Sequence, residues 1–235
     1  MENKTYPSLT AELTRDIIQW DIKSWSKALS FWETKLEWRP VQNVLELGGR
    51  EGGLSLWLAL KGMTVVCSDL SDVRNTAETL HKRHHVSSLI QYQDIDATNI
   101  PYENHFDIIV FKSIIGGIGR ENHYELQQKV FKEIYKALKP GGKLLFAENL
   151  LASPVHQHLR KRFIHWGSYW RYVSLEEMRT FLTDFSAYEM KTTGFLGAFG
   201  RNENQRNLLA TIDEIFLNTI CPEKWHYICF GIAHK

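Results

Sequence analysis

At 235 residues the chain has room for one large domain, or for one domain with added cover elements. Apolar residues make up 43% and charged residues 23%, which supplies a sizeable core and excludes disorder over most of the length. With 28 basic and 27 acidic side chains the formal net charge is +1, so a general nucleic-acid or membrane-surface binder is excluded, while a local basic patch is not.

In chain order, Met1 to Thr10 is polar and lacks the apolar centre of a secretory signal. Thr10 to Leu36 reads as one or two helices: Leu13, Ile17 and Ile18 share a face, and Ser24 is placed to cap a second helix carrying Leu29, Trp32 and Leu36. Trp20, Trp25, Trp32 and Trp38 crowd this stretch, either packing on the core or covering a ligand pocket. Pro40 closes it. Val44 to Leu47 is a buried strand ending in glycines, Gly53 to Leu60 a helix stopped by Gly62, and Thr64 to Ser68 a β-branched strand ending on Asp69. A helix over Asp72 to Arg83, a strand near Leu89 to Gln93 and a strand over Phe106 to Phe111 continue the alternation. Asn122 to Leu138 is a long amphipathic helix with Leu126, Val130, Ile134 and Leu138 on one face, and Pro140-Gly141-Gly142 turns into a fifth strand, Lys143 to Ala147.

After Leu150 the rhythm breaks. Ala152 to Tyr172 holds three histidines, four basic residues and several aromatics, and reads as an inserted helix or lid. Ser174-Leu175-Glu176-Glu177 has the pattern of a capping box opening another helix. Tyr188 to Thr193 and Trp225 to Ala233 are the last strands, with a helix near Leu208 to Leu217 between them. Strands alternating with helices predict an α/β fold with a mainly parallel sheet covered on both faces. The organisation predicted is a helical cover over 1–39 and a single α/β domain over 40–235, with the lid insertion around 151–173. Cys67, Cys221 and Cys229 are too few and too scattered for a disulfide framework or zinc knuckle, and no apolar run nears the roughly 20 residues that span a bilayer. A cytoplasmic location is expected.

An open α/β sheet binds ligands at the carboxyl ends of its strands. The first strand runs into Glu46-Leu47-Gly48-Gly49-Arg50-Glu51-Gly52-Gly53, where glycines let backbone approach a ligand closely. The second ends at Asp69, 21 residues after Gly48, with Leu70 beside it; a carboxylate there is placed to accept ribose hydroxyls. The third leads to Asp96, suited to an exocyclic adenine amine, and Ala97, whose N–H suits a ring nitrogen.

The run resembles the acidic-x-Gly-x-Gly-x-Gly signature of class I S-adenosylmethionine-dependent methyltransferases at Glu46, Gly48 and Gly52. The resemblance continues through Asp69, Asp96-Ala97, Phe106 to Ile109 and Leu138 to Gly142, covering roughly residues 40 to 150. It implies the Rossmann-like fold of that family, with a seven-stranded sheet whose last strand is antiparallel, and S-adenosyl-L-methionine as cofactor. The cofactor-binding residues expected are Glu46, Gly48, Gly49, Gly52, Asp69, Leu70, Asp96, Ala97 and, from its place at a strand end, Lys112. The departure is Arg50 at the middle glycine: the turn must tolerate a side chain there or bend differently at Gly49. Arg50 also removes the Gly-x-Gly-x-x-Gly spacing of a nicotinamide dehydrogenase, and Glu51 opposes a pyrophosphate at the helix entrance.

The acceptor is expected over the fourth and fifth strand ends, at Lys112-Ser113 and Glu148-Asn149. Asn/Asp-Pro-Pro-Tyr, the mark of adenine or amide methylation, is absent. Glu148-Asn149 faintly echoes a metal-dependent catechol site, but Lys112 would repel a divalent ion, so no metal is expected. His156, His158 and His165 are the candidate general bases, since histidine titrates near neutral pH. Lys112 suits the cofactor carboxylate or an anionic substrate, or is a snorkelling lysine. Arg160-Lys161-Arg162 near Trp166 and Trp170 suits an anionic or sugar-like acceptor, whereas His81-Lys82-Arg83-His84-His85 ends a helix where positive charge is favourable. The expected function is O-methylation of a small molecule or saccharide, with no nucleic-acid partner and no membrane. The alternatives are an RNA or protein methyltransferase and a non-catalytic cofactor-binding subunit.

Overall fold

The computed structural model describes residues 9–36, 42–163 and 169–235. Of the residues singled out above, Trp38, Pro40, His165 and Trp166 lie outside them. The elements run α1 (Ala11–Ile18), α2 (Ile22–Lys35), β1 (Asn43–Leu47), α3 (Gly53–Leu60), β2 (Thr64–Asp69), α4 (Val73–Arg83), β3 (Ile90–Asp94) and β4 (Phe106–Lys112). They continue with a short α5 (Ile115–Ile118), α6 (Tyr124–Ala137), β5 (Leu138–Asn149), α7 (Pro154–Phe163), α8 (Leu175–Phe181), β6 (Ala187–Thr193), α9 (Glu203–Ile212), α10 (Asn218–Ile220) and β7 (Ile228–His234).

The strands form one seven-stranded sheet in the order β3-β2-β1-β4-β5-β7-β6. β7 pairs antiparallel with both neighbours, and the other pairs are parallel. Chain progression reverses between β1 and β4, so a cleft opens at their carboxyl ends. Because side chains alternate across a strand, the central strands feed two cores. Val44, Ile108, Val110 and Leu145 face α2 and α3 with Trp25, Trp32 and Trp57. Leu45, Ile109, Phe111 and Phe146 face α6 and α8 with Phe131, Ile134 and Phe181.

Four local expectations need correction. Asp21, not Ser24, stands at the N-terminus of α2. The buried face of α6 is Gln127, Val130, Phe131, Ile134 and Ala137; Leu138 already belongs to β5, whose pairing shifts between Phe106 and Ile108 to absorb the Pro140-Gly141-Gly142 segment. The penultimate helix begins earlier, at Glu203, and passes into a π-helical stretch over Asp213–Leu217. Trp225 lies in a 3₁₀ turn, Glu223–Trp225, before β7 begins at Ile228. The Ser174–Glu177 capping box forms as read, each side chain bonding the other's backbone N–H. No helix among the described residues is long and apolar enough to cross a membrane.

Candidate cofactor and acceptor site

β1 delivers Glu46 into the base of the Gly-rich turn, where it is buried. Its carboxylate accepts Leu54 N–H at 3.2 Å, Ser55 N–H at 2.8 Å and the Ser55 hydroxyl. It thus satisfies the first N–H groups of α3, which have no partner inside the helix. Burial pushes its pKa up to about 7, against the lowering pull of the Ser55 and Leu54 hydrogen bonds and of Lys112.

The turn needs left-handed backbone at Gly48 (φ 65°), Arg50 (φ 48°) and Gly52 (φ 73°). A Cβ on Gly48 would collide with Ile114, and one on Gly52 with the His81 ring. Arg50 takes its left-handed conformation as an L-residue, so the turn tolerates the side chain and leaves it exposed. Its N–H donates to Asp69 Oδ2 at 2.9 Å, and its carbonyl accepts from Thr76 Oγ1 at 2.7 Å. The other Asp69 oxygen accepts Leu70 N–H at 2.7 Å. His81, read above as part of a charged helix end, is buried with its ring nitrogens on Gly52 O (2.8 Å) and Tyr92 Oη (2.9 Å). Its four-residue spacing from Val73 and Ala77, both buried, was the available signal.

A cavity of about 1080 Å³ follows the strand ends. Asp96, Ala97, Asp69, Leu70, Gly48 and Gly49 line one side; Ser113, Asn149, Arg160, Trp170 and Tyr172 line the other; Trp20, Asp21 and Arg206 close it from the N-terminal cover and α9. Asp96 Oδ1 accepts both the N–H and the hydroxyl of Thr98 at 2.8 Å. Gly52 is not part of this wall; it shapes the turn from behind. Lys112 is part of it, with Nζ donating to Ile18 O at 2.8 Å and lying 4.7 Å above the Trp20 ring. Burial brings its pKa down to about 8.

A family described as "Methyltransferase domain" matches residues 45–146. The chain is 33% identical over 116 residues to phosphoethanolamine N-methyltransferase 1 of Zea mays, covering 48% of this chain and 22% of that one. It is 32% identical over 129 residues to the ubiquinone/menaquinone biosynthesis C-methyltransferase UbiE of Shewanella oneidensis, covering 52% of this chain and 48% of that one. Residues 45–146 thus match a methyltransferase domain, in line with the resemblance carried by Glu46, Gly48 and Gly52. The fold of the chain is similar to that of Haemonchus contortus phosphoethanolamine N-methyltransferase 2, solved with S-adenosylhomocysteine, at a TM-score of 0.62 and 21% identity over 90% of this chain and 52% of that one. The chain thus spans about half the length, or less, of these relatives.

On the other side of the cavity the segment from Trp170 to Tyr172 returns along α5. The Trp170 indole lies against Gly116 and Gly117, where a Cβ on Gly116 would overlap the indole nitrogen. Arg171 N–H donates to Gly116 O at 3.0 Å, and Gln127 Nε2 bridges Ile115 O and Arg171 O at 2.9 Å each. Arg160 donates to Leu150 O at 2.8 Å and stacks 3.8 Å over the Tyr172 ring. Of the expected basic-aromatic grip, Arg160 and Trp170 line the cavity, with Tyr172 beside them; Arg162 is exposed and off the wall, and the Lys161 side chain and Trp166 lie outside what the structure describes. Glu148 is buried and accepts the Ile114, Ile115 and Asn149 N–H groups.

Of the candidate histidines, His156 and His158 do not line the cavity, and His165 lies outside the described residues. His156 is buried, with Nδ1 on Ser153 Oγ at 2.7 Å and Nε2 on Phe195 O at 2.8 Å, and it stacks on Phe199. Burial lowers its pKa to about 4, so it is a neutral packing residue at physiological pH. His158 is exposed and off the wall. Sequence reasoning missed Asp21, Arg206, Tyr227 and His123, all of which line the cavity.

Proposed function

We propose that the protein transfers a methyl group from S-adenosylmethionine to an oxygen of a small molecule or saccharide. The observation that carries this is the single cavity joining the Gly48–Asp69–Asp96 side to the Arg160–Trp170–Tyr172 side. The residues fit the cofactor: Gly48 has no room for a side chain, and the carboxylates of Asp69 and Asp96 stand at successive strand ends. In this reading Gly48 and Gly49 pass beside the methionine part, Asp69 holds the ribose with Leu70 beside it, and Asp96 with the Ala97 N–H reads the adenine. Lys112 suits the cofactor carboxylate. S-adenosylmethionine supplies a methyl group already activated on a sulfonium. What remains for the protein is alignment, exclusion of water and removal of a proton from the acceptor.

The relatives named above act on nitrogen and on carbon, so the acceptor atom is decided by this chain's own wall. Flat rings at Trp20, Trp170 and Tyr172 suit a sugar or aromatic face, and Asn149, Arg160 and Arg206 supply polar contacts. The test is calorimetry with S-adenosylmethionine, followed by transfer of radiolabelled methyl to a panel of alcohols, phenols, monosaccharides and amines. Binding with label on oxygen supports the proposal. Absence of binding overturns it, and label confined to nitrogen or carbon overturns the oxygen assignment.

A further inference from the structure

Asp21 stands where a capping residue belongs and does not cap. It precedes α2 in left-handed backbone (φ 47°, ψ 50°), and its side chain makes no bond to the helix N–H groups. The elbow is instead held from α9: Glu203 accepts Asp21 N–H at 3.1 Å and Ile22 N–H at 2.6 Å. Asp21 lines the cavity together with Tyr227 and Arg206. Oδ2 accepts the Tyr227 hydroxyl at 2.6 Å, and that hydroxyl lies 2.8 Å from Ser24 Oγ. Oδ1 is buried without a hydrogen-bond partner among the described residues, in a residue only 2% exposed. A buried carboxylate oxygen left unbonded costs free energy. A helix cap forgone and a left-handed non-glycine residue add to that cost. Strained, unsatisfied groups of this kind gather at functional sites.

We propose that Asp21 is the catalytic base, with Oδ1 taking the proton of the acceptor hydroxyl and Tyr227 acting as its positioning residue. The assignment rests on the methyltransferase reading above. The acceptor oxygen uses a lone pair to form the new C–O bond while the methyl–sulfur bond breaks, its electron pair staying on sulfur. The hydroxyl proton passes to Oδ1. The products are a methyl ether, the neutral thioether S-adenosylhomocysteine and a protonated Asp21, which returns its proton to water. Burial raises the Asp21 carboxyl above its ordinary value and Glu203 adds to the rise, while the Tyr227 and Ser24 hydroxyls and the cations Arg206 and Lys112 pull it back toward the charged form. Those cations also disfavour an ammonium acceptor and favour a neutral hydroxyl.

The test uses the full chain and two conservative variants, with S-adenosylmethionine as the binding probe and the alcohol, phenol, monosaccharide and amine panel as acceptors. Asp21→Asn keeps size and tolerates left-handed backbone. It is expected to bind S-adenosylmethionine within threefold of wild type while losing about 100-fold or more in methyl transfer. Tyr227→Phe removes a hydrogen bond that stabilises the carboxylate, so the acid limb of the rate profile should move to higher pH. The infrared difference between wild type and Asp21→Asn should show an ionised carboxylate at pH 8. An Asp21→Asn variant that keeps its rate within threefold overturns the assignment and leaves the methyltransferase reading intact. So does a carboxyl still protonated at pH 8. Wild type that binds S-adenosylmethionine but methylates nothing in the panel overturns both readings together.

Discussion

Arg50 occupies a left-handed position that costs an L-residue roughly 1–2 kcal/mol, and its contribution to the turn comes from its backbone. Arg50→Gly should therefore leave S-adenosylmethionine affinity within threefold and change stability by no more than about 1 kcal/mol, because relief of strain is partly offset by the entropy of glycine. Calorimetry and urea unfolding check this, and a tenfold loss of affinity would make the guanidinium itself the ligand. Asp69→Ala removes the acceptor for both Arg50 and Leu70 N–H groups as well as the proposed ribose contact. Affinity should fall at least tenfold, about 1.4 kcal/mol, in a variant that still folds; unchanged affinity would sink the ribose assignment. Both positions were legible in the sequence because a tight turn leaves a trace in residue type. Asp21 was not: the sequence offered Ser24 as the cap of the second helix, and only the fold brings the Asp21 side chain onto Tyr227.

Among the elements, α5 and the segment from Trp170 to Tyr172 depend on one another. Gly116 and Gly117 form a bed for the Trp170 ring, and Gln127 and Arg171 fasten the two segments beside it. Gly116→Ala puts a methyl group where the indole nitrogen lies, which forces Trp170 off the cavity wall. Overpacking of this kind costs roughly 1–3 kcal/mol. The acceptor KM should rise more than tenfold while S-adenosylmethionine affinity holds within threefold, since the cofactor side is not touched. An unchanged KM would show that Trp170 is only a packing residue. The sequence carried α3 residue for residue, because its glycine boundaries and apolar run are local signals. It placed Leu138 on a helix, because apolar periodicity there suits either state and pairing across the sheet decides, and it read Asp213–Leu217 as ordinary helix.

For the whole molecule, alternation predicted the parallel α/β sheet, but strand order depends on pairing between distant segments, and the antiparallel strand came from family resemblance. What long-range packing adds is two carboxylates, Glu46 and Glu148, buried at the ends of β1 and β5. Burial pushes each up to about 7 from an ordinary value of 4.5, outweighing the hydrogen bonds each accepts. The folded state therefore binds more protons than the unfolded chain between pH 4.5 and 7, so their contribution is full below 4.5 and declines as pH rises through 7. His156 works the other way: with a folded pKa of about 4 against 6.5, its contribution is full above 6.5 and is lost as pH falls through 4. The overlapping windows flatten the total profile, and a single variant separates them. The stability of wild type minus that of Glu148→Gln, from urea unfolding at each pH, isolates Glu148. That difference should fall by up to about 3 kcal/mol between pH 4.5 and 8 and then level off. A flat or rising difference across that range would mean that the three backbone N–H groups keep Glu148 ionised, and that burial is not what governs its charge.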